Sequence, residues 1–293
     1  MSIIPIILNR KKTLKEVIEQ YEQLVNLAQS REQGDIFDFS KVDWITPQQS
    51  IFLCSIISEF PELYEYQSIN SYLQTIHFPQ GILIDCESNI QELFKKYMEK
   101  SYIPIFKLKL EDASDNSDVR ALFLKSFLDH ITNMLSLKSN YVHGIRYILG
   151  DLLTNIFEHS ESEYAYFAFQ NYPILKKMEI CVCDTGVGLL ENYRRNQNNL
   201  DVDFSHIRSH IDAMENVVKG LSTKSIERGF GVHTSRNMVV NGFKGTFIYQ
   251  SGDALSINET ISPSDCNING VIFSINIPYD KFVDNFNYIS FVE

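Results

Sequence analysis

The chain has 293 residues, of which 44% are hydrophobic and 22% are charged, and its formal net charge is −11. This length allows two domains of ordinary size with substantial buried cores. No segment approaches the roughly 18 apolar residues of a membrane span, so we expect no transmembrane helix. The acidic balance disfavours a protein whose main task is to hold nucleic acid, since that affinity comes largely from Lys and Arg.

The N-terminal segment and the cysteines together predict a cytoplasmic protein. MSIIPIILNRKK places its apolar run before its basic cluster, the reverse of a secretory signal. Five cysteines are an odd number, and Cys181 and Cys183 lie two positions apart in an apolar run. We expect them to point to opposite faces of a strand, as packed free thiols of a reducing compartment rather than a disulfide or a metal pair.

Strands and helices alternate in the N-terminal third, a pattern typical of α/β proteins. The predicted elements are strand 3–8, helix 13–30, strand 36–40, a helix that opens at Pro47, a helix within 87–100 and a strand at 101–110. The run EDASDNSD, residues 111–118, is polar apart from Ala113, and we interpret it as a linker. The sequence therefore predicts two domains, covering residues 1–112 and 113–293.

The second predicted domain begins with two long helices and continues with strands. The predicted elements are helices 121–137 and 141–160, strands 164–169 and 176–186, a helix within 206–220, a glycine-rich turn and helix at 228–240, and strands 245–251 and 270–278. Between Leu190 and Lys219, only HIRSHIDAMENVVKG has helical spacing.

One helix carries a regular set of polar side chains. In ILGDLLTNIFEHS, residues 148–160, Asp151, Asn155 and His159 are four residues apart and share a helix face. They border the apolar stripe, which consists of Ile145, Ile148, Leu149, Leu152, Leu153, Ile156 and Phe157. Two interpretations stay open: the polar side chains form one wall of a binding site, or they form the solvated side of an ordinary helix.

A second motif, CVCDTGVGLL, follows a strand. Asp184 at the strand end offers one fixed acceptor, and Gly186 and Gly188 allow the backbone to approach a ligand closely because glycine has no Cβ. A tight turn in which the Asp bonds its own backbone is the alternative. The motif is not GxGxxG, so a dinucleotide-binding fold is disfavoured.

A third motif, LSTKSIERGFGVHTSRNMVV, combines glycines with polar and basic residues. Gly229 and Gly231 free backbone N–H groups at a helix start, where an anion such as phosphate is favoured. Hydroxyl donors and cations lie just upstream, at Ser222, Thr223, Lys224 and Arg228. A flexible loop before an ordinary helix is the alternative.

In this order, the three motifs resemble those of the gyrase, heat-shock chaperone, histidine kinase and MutL (GHKL) ATPases. The resemblance extends from about residue 119 to residue 278, and the N-box is closest to that of bacterial anti-sigma kinases, which His159 also fits. It implies an α/β fold of the Bergerat type, a two-layer α/β sandwich that holds ATP and Mg²⁺ between helices and sheet.

The resemblance also implies roles for individual residues. Asn155 matches the Mg²⁺ ligand, and Asp184 matches the carboxylate that accepts the adenine amino group. Gly186 and Gly188 match the loop around the base. The phosphate loop corresponds to Thr223, Lys224, Gly229, Phe230 and Gly231, within or beside an ATP lid at about residues 190–228.

Two positions depart from the family pattern. Asp151 stands where hydrolysing members carry the catalytic Glu, one methylene longer, so slow hydrolysis or none is expected. Val271 stands where many members carry a Thr that contacts adenine through water.

The N-terminal third resembles a different family. FDFSKVDWITPQQSIFLCSIISEF is similar to the strand, turn and helix of STAS-type (anti-anti-sigma-like) domains. Pro47, Gln48 and Gln49 fill the turn where phosphorylated members carry Ser or Thr, so we do not expect phosphorylation there. The sequence therefore predicts a smaller STAS-like α/β regulatory domain before the GHKL-type domain.

The resulting hypothesis is a bacterial-type signalling protein that binds Mg-ATP and whose lid closure controls binding of a protein partner. Asp151 would support slow ATPase or serine/threonine-kinase-like activity. The alternative is a nucleotide-gated interaction switch without significant turnover. A DNA-acting ATPase is disfavoured by the acidic balance, and no membrane association is expected. The sequence leaves the partner undetermined and allows a homodimer.

Overall fold

The structure, a computed structural model, has a mixed α/β fold with two β-sheets. It describes residues 2–87, 90–110, 117–195, 203–220, 231–283 and 285–292. No helix within these ranges is both long and apolar enough to cross a membrane.

The N-terminal elements form a small parallel sheet with helices, which confirms the predicted strand and helix alternation. Its elements are β1 (Ile3–Leu8), α1 (Leu14–Gln29), β2 (Ile36–Val42), α2 (Pro47–Glu59), β3 (Glu65–Gln67) and α3 (Ser71–Thr75), with strand order β1-β2-β3. Capping boxes begin both long helices, through Thr13 and Glu16 at α1 and through Thr46 and Gln49 at α2. Each box satisfies backbone donors that a helix start leaves free, so the local sequence fixes where these helices begin.

A six-stranded sheet forms the centre of the protein. In spatial order its strands are β4 (Ile82–Ile84), β5 (Tyr102–Lys109), β6 (Tyr164–Tyr172), β7 (Lys177–Asp184), β9 (Thr260–Pro278) and β8 (Thr246–Ile257). β4 and β5 are parallel, and every other neighbouring pair is antiparallel.

This sheet differs from the predicted division of the chain between residues 112 and 113. β5 pairs with β6 along its length, from Tyr102 opposite Gln170 to Lys109 opposite Tyr164. Strands from both sides of the predicted boundary therefore share one sheet. The polar run suggested a boundary, but composition does not report which strands exchange backbone hydrogen bonds.

Helices cover one face of the six-stranded sheet. They are α4 (Ile90–Lys96), α5 (Ser117–Leu135), α6 (Ser139–His159), α7 (Gly188–Arg195), α8 (His210–Val218) and α9 (Gly231–Asn237), the last continued by a π-helical turn, Met238–Gly242. Aromatic side chains of α5 meet those of β6, as where Phe127 lies 4.9 Å from Phe167 between ring centroids. This core fixes α6 against the sheet.

The N-terminal elements cover part of the opposite face. On β7, Met178, Ile180 and Val182 pack with the helical layer, whereas Cys181 and Cys183 pack with the N-terminal core around α2. The expectation that the two cysteines point to opposite faces was wrong, because residues i and i+2 of a strand share a face. Both are buried free thiols, as predicted.

The β8–β9 hairpin is longer than the sequence predicted. β8 continues to Ile257 and β9 begins at Thr260, so the hairpin extends beyond the sheet to α1. There Ser264 Oγ donates to Glu22 Oε1 at 2.6 Å, and Asn26 Nδ2 donates to the Asp265 carbonyl at 2.9 Å. The extension was missed because its residues are largely polar and its hydrogen-bond partners are distant in sequence.

Candidate functional site

A cleft lies between α6, α7, α8, the start of α9, the end of β7 and inner parts of β8 and β9. Its empty volume is about 680 Å³, which includes the open mouth. The lining combines polar residues at α6 and β7 with apolar ones at the sheet. They are Asn155, His159, Ser160, Asp184, Gly188, Leu189, Asn192, Tyr193, Val217, Gly231, Val232, Tyr249, Val271 and Phe273.

Helix α6 contributes two of its three evenly spaced polar residues to the lining. Asn155 and His159 face the cleft, and burial lowers the pKa of His159. The His159 backbone carbonyl accepts from Asn192 Nδ2 at 3.1 Å, which ties α6 to α7. This side of α6 therefore belongs to a cavity rather than to a fully solvated helix face.

Asp151 lies behind the lining. Its Oδ2 accepts hydrogen bonds from Ser235 Oγ at 3.2 Å and from Asn155 Nδ2 at 3.3 Å. Because the Asn155 nitrogen makes this bond, the Asn155 oxygen is the atom available to a cation. Burial raises the pKa of Asp151 to about 7.

Gly231, at the start of α9, lies in close contact with the Asp151 carboxylate. A Cβ built on Gly231 would lie 1.8 Å from Asp151 Oδ1, so only glycine permits this approach in the observed geometry. The first and third sequence motifs therefore meet in space, since Gly231 and Asn155 both line the cleft.

Asp184 ends β7 and is 3% exposed. Its Oδ1 accepts from the Gly186 N–H at 2.8 Å, while Oδ2 has no hydrogen-bond partner among the described residues. Burial raises the pKa of Asp184 to about 7, opposed by the backbone N–H groups of Gly186 and Val271 and reinforced by the nearby Glu59. A buried acceptor without a partner is costly, and Asp184 is one of the residues that line the cleft.

Close backbone contacts hold Asp184 in place. A Cβ on Gly186 would lie 1.8 Å from the Ser160 carbonyl oxygen, and a Cβ on Gly270 would lie 2.3 Å from the Asp184 carbonyl oxygen. Gly188 has a φ of +71°, in the left-handed region that favours glycine. The turn after β7 thus packs directly on the end of α6.

The sheet supplies an aromatic wall. Tyr249 of β8 and Phe273 of β9 are stacked, with ring centroids 4.2 Å apart and an interplanar angle of 19°. Val271 and Leu189 extend this apolar surface, and Asp184 also lines the cleft. The cleft therefore offers a flat, apolar ligand group both a surface to cover and one carboxylate to contact.

Several predicted residues lie outside the described ranges, namely Thr223, Lys224, Gly229 and Phe230. Of the predicted site residues within the described ranges, the structure brings together Asn155, Asp184, Gly188 and Gly231 on the cleft. Gly186 and Asp151 lie directly behind them.

Sequence reasoning missed part of the lining within the predicted lid. Helix α7 places Tyr193 on the cleft, and α8 places Val217 there. A separate small core holds α7 near α8, formed by Leu190, Tyr193, Phe204, Ile207 and Ala213. The spacing of Leu190 and Tyr193 was the available signal for α7, but one apolar pair in a polar segment is weak.

No group of three or more His, Cys, Asp or Glu residues within the described ranges has the arrangement of a metal site. Compared with known proteins, the chain matches no family model, no curated protein and no solved structure. The assignment of the cleft therefore depends on its own geometry and chemistry.

Proposed function

We propose that this cleft binds Mg-ATP and that nucleotide occupancy controls the binding of a protein partner. The observation that carries the proposal is that Asp184 lines an apolar cleft and has a buried Oδ2 without a hydrogen-bond partner among the described residues. The fold supports the proposal at a coarser level, since helices cover one face of a mixed sheet and the cleft lies between them.

The adenine amino group is a donor that matches Asp184. It would satisfy Oδ2 while the Gly186 N–H continues to hold Oδ1. The base would cover Val271 and the stacked pair formed by Tyr249 and Phe273. Apolar walls exclude water, which strengthens a hydrogen bond to a charged acceptor.

The opposite part of the cleft suits the phosphates and their metal ion. The Asn155 amide oxygen is a hard ligand of the kind that Mg²⁺ accepts, and Mg²⁺ in nucleotide sites takes most other ligands from phosphates and water. Such a site needs no cluster of acidic residues, which agrees with the donor set among the described residues. Gly231 places backbone without a side chain beside Asn155.

Turnover depends on Asp151. A pKa of about 7 suits a general base at neutral pH. However, the carboxylate is held by Ser235 and Asn155 and lies against Gly231 rather than on the cleft surface. This position favours a second candidate function, a nucleotide-gated interaction switch with little or no hydrolysis.

Isothermal titration of the full chain with ATP and Mg²⁺ tests the proposal. Asp184→Asn keeps an oxygen for the Gly186 N–H but replaces the free acceptor with a donor, so we expect ATP to bind roughly 10- to 100-fold more weakly. Asp129→Asn, at an exposed position on α5, is the matched control and should bind like wild type. Mg-independent binding, or no loss in Asp184→Asn or Asp184→Ala, contradicts the proposal.

A second nucleotide makes this test specific for the base. Inosine triphosphate carries a carbonyl where ATP has the amino group, so Asp184 should disfavour it. Asp184→Asn can donate to that carbonyl and should lose most of the preference for ATP. An unchanged preference would remove Asp184 from base recognition.

Phosphate release separates the two candidate functions. A slow ATPase should release phosphate faster than its Asp151→Asn variant, whereas a switch without turnover should show equal background rates in both.

A further inference from the structure

A second, larger cavity lies at the other end of β7. We call it the basic groove and define it by the six cations along its walls: Arg10, Lys11, Lys12, Lys177, Lys244 and Lys281. It is open to solvent, and its empty volume of about 2220 Å³ is more than three times the 680 Å³ of the cleft at Asp184. Lys177 and Asp184 are the two ends of β7, so the groove and the cleft at Asp184 are about 23 Å apart along the strand.

The floor of the groove is a polar part of the central sheet. Glu179, Asn276 and Thr246 are neighbours on three adjacent strands. Farther along β7 the same sheet face carries Cys181 and Cys183, which the N-terminal core covers. The face therefore changes from apolar to polar where that covering ends, as expected for a surface that meets water or a polar ligand.

The charge of the groove opposes that of the protein. Six cations line it, and Glu179 is the one acidic residue among its described lining residues. Glu179 is 6% exposed, accepts from Tyr172 Oη at 3.0 Å, and has its pKa raised by burial. None of the six cations forms an ion pair with a carboxylate of the described residues. Lys177 and Lys11 do act electrostatically on Glu179 and Glu16, but the cations outnumber the acids, so the groove is basic although the chain carries a net charge of −11.

Aromatic rings hold two of these cations over the groove. The Arg10 guanidinium lies 4.7 Å from the ring centroid of Trp44, and Lys177 Nζ lies 4.9 Å from that of Tyr172. Trp44 is itself stacked on Tyr72, with ring centroids 5.6 Å apart. Cations placed over aromatic faces lose fewer conformations when a ligand binds.

An exposed apolar turn forms one edge of the groove. Ile174 and Leu175, in the short connection between β6 and β7, are 97% and 60% exposed. Two adjacent large apolar side chains beside a polar floor offer contacts to apolar side chains of a ligand.

We propose that the basic groove binds an acidic segment of a partner protein in which apolar residues are interspersed with Asp and Glu. The cations would pair with the carboxylates, and Ile174 and Leu175 would contact the apolar residues. A polynucleotide is also anionic, but its long phosphate backbone would extend past the groove onto a protein of net charge −11, whereas a short acidic segment can remain within the groove. The exposed aliphatic pair also suits a peptide better than a sugar-phosphate chain.

The chain contains a single tryptophan, Trp44, which lies in the groove and reports on its occupancy. The probe is a synthetic peptide of repeated Asp-Glu-Leu units about 12 residues long, which extends to roughly 40 Å. Its control repeats Asn-Gln-Leu at the same length, and oligothymidylate is the competing polyanion. Binding to the full chain is followed by Trp44 emission and by anisotropy of the labelled probe at about 0.15 M salt.

We expect the acidic peptide to change Trp44 emission and to bind more tightly than either other probe. Lys177→Glu with Lys244→Glu should weaken binding at least about tenfold. Lys41→Glu with Lys125→Glu makes the same charge change at exposed lysines outside the groove and should stay within about twofold of wild type. Lys177→Gln with Lys244→Gln gives a milder test if the reversed charges prevent folding.

Three results would overturn the proposal. One is absence of peptide binding up to about 1 mM. Another is equal weakening by the groove and control substitutions, which indicates unspecific attraction. The third is tighter binding of oligothymidylate, which would assign the groove to nucleic acid. Ile174→Asp should also weaken the peptide, whereas Ile289→Asp, 62% exposed elsewhere, should not.

Discussion

The two ends of β7 carry cavities of opposite character. At Asp184 the cleft is narrow, and one buried carboxylate meets apolar and aromatic walls. At Lys177 the groove is wide and open, with six cations over a polar floor. Both depend on the same strand and each contains one buried carboxyl group, Asp184 or Glu179, but only the groove also carries cations among its described lining residues.

This difference in enclosure determines what each site can select. Burial raises the pKa of Asp184 to about 7. The protonation state of this carboxyl group and its hydrogen bonding therefore depend on the single ligand atom that contacts it. The exposed cations of the groove remain hydrated, and they attract a ligand by summed charge rather than by one contact. We therefore expect chemical selectivity at the cleft and salt-sensitive binding at the groove.

The largest expected effect concerns pH and Asp184. Its folded pKa of about 7 exceeds the ordinary value of 3.8. The folded state therefore binds more protons between these values, and the free energy of unfolding falls as pH rises through this window. Asp184→Asn removes this penalty and should be more stable than wild type by up to about 4 kcal/mol at pH 8, but by little at pH 4.

Chemical unfolding at both pH values measures this effect, with Asp129→Asn as the exposed control. Parallel pH dependences of wild type and Asp184→Asn would show that Asp184 is not an enclosed acid, and the contrast between the two sites would fail.

A smaller effect is expected from adding a methyl group at the cleft. Gly186→Ala places a Cβ 1.8 Å from the Ser160 carbonyl oxygen, and the forced displacement should lower the free energy of unfolding by about 3 kcal/mol. Gly150→Ala on α6 meets no atom within 4 Å and should raise it by about 0.5 to 1 kcal/mol. Opposite signs in thermal or denaturant unfolding are the expected result; two neutral substitutions would mean that the turn after β7 is not closely packed.

The contact between the cleft and the N-terminal elements should contribute less. Thr185 Oγ1 donates to Glu59 Oε2 at the end of α2, and burial raises the pKa of Glu59. Thr185→Val removes this donor and should cost about 1 to 2 kcal/mol of stability. Thr75→Val, on the exposed side of α3, should cost under about 0.5 kcal/mol. Equal effects would indicate that α2 and the turn after β7 are independent.

The smallest expected effect is the influence of the groove on the cleft. Lys177→Glu with Lys244→Glu should leave ATP affinity within about twofold. The charges lie about 23 Å away, and the Debye length in physiological salt is about 8 Å. In return, Asp184→Asn should leave peptide binding unchanged. A large cross-effect in titrations of either ligand would mean that the two ends of β7 act as one site.

Local patterns predicted most of the individual elements. The helix that carries Asp151 and Asn155 and the strand that ends at Asp184 follow from periodicity. These features depend on neighbours in sequence, so a linear pattern contains them. The pairing of β5 with β6 and the long β8–β9 hairpin depend on distant partners and were not predicted.

The candidate site was predicted only in part, for the same reason. The motifs selected residues with recognisable chemistry, including Asn155 and Asp184. The aromatic wall of Tyr249 and Phe273 looked like ordinary strand residues, and Tyr193 lay in a segment without an evident helical period. Their role in the cleft arises from the packing of β8, β9 and α7 around it.

The sequence by itself determined the mixed α/β class, the order of most elements and the polar residues that approach one another at the cleft. It did so because side-chain periodicity and turn chemistry are local properties of the chain. Only the tertiary structure decided that Asp184 is buried with one unpaired oxygen, that β5 joins the C-terminal strands, and that six scattered cations share a groove. Burial, strand pairing and electrostatic proximity are properties of residues far apart in sequence, and they become defined only when the chain folds.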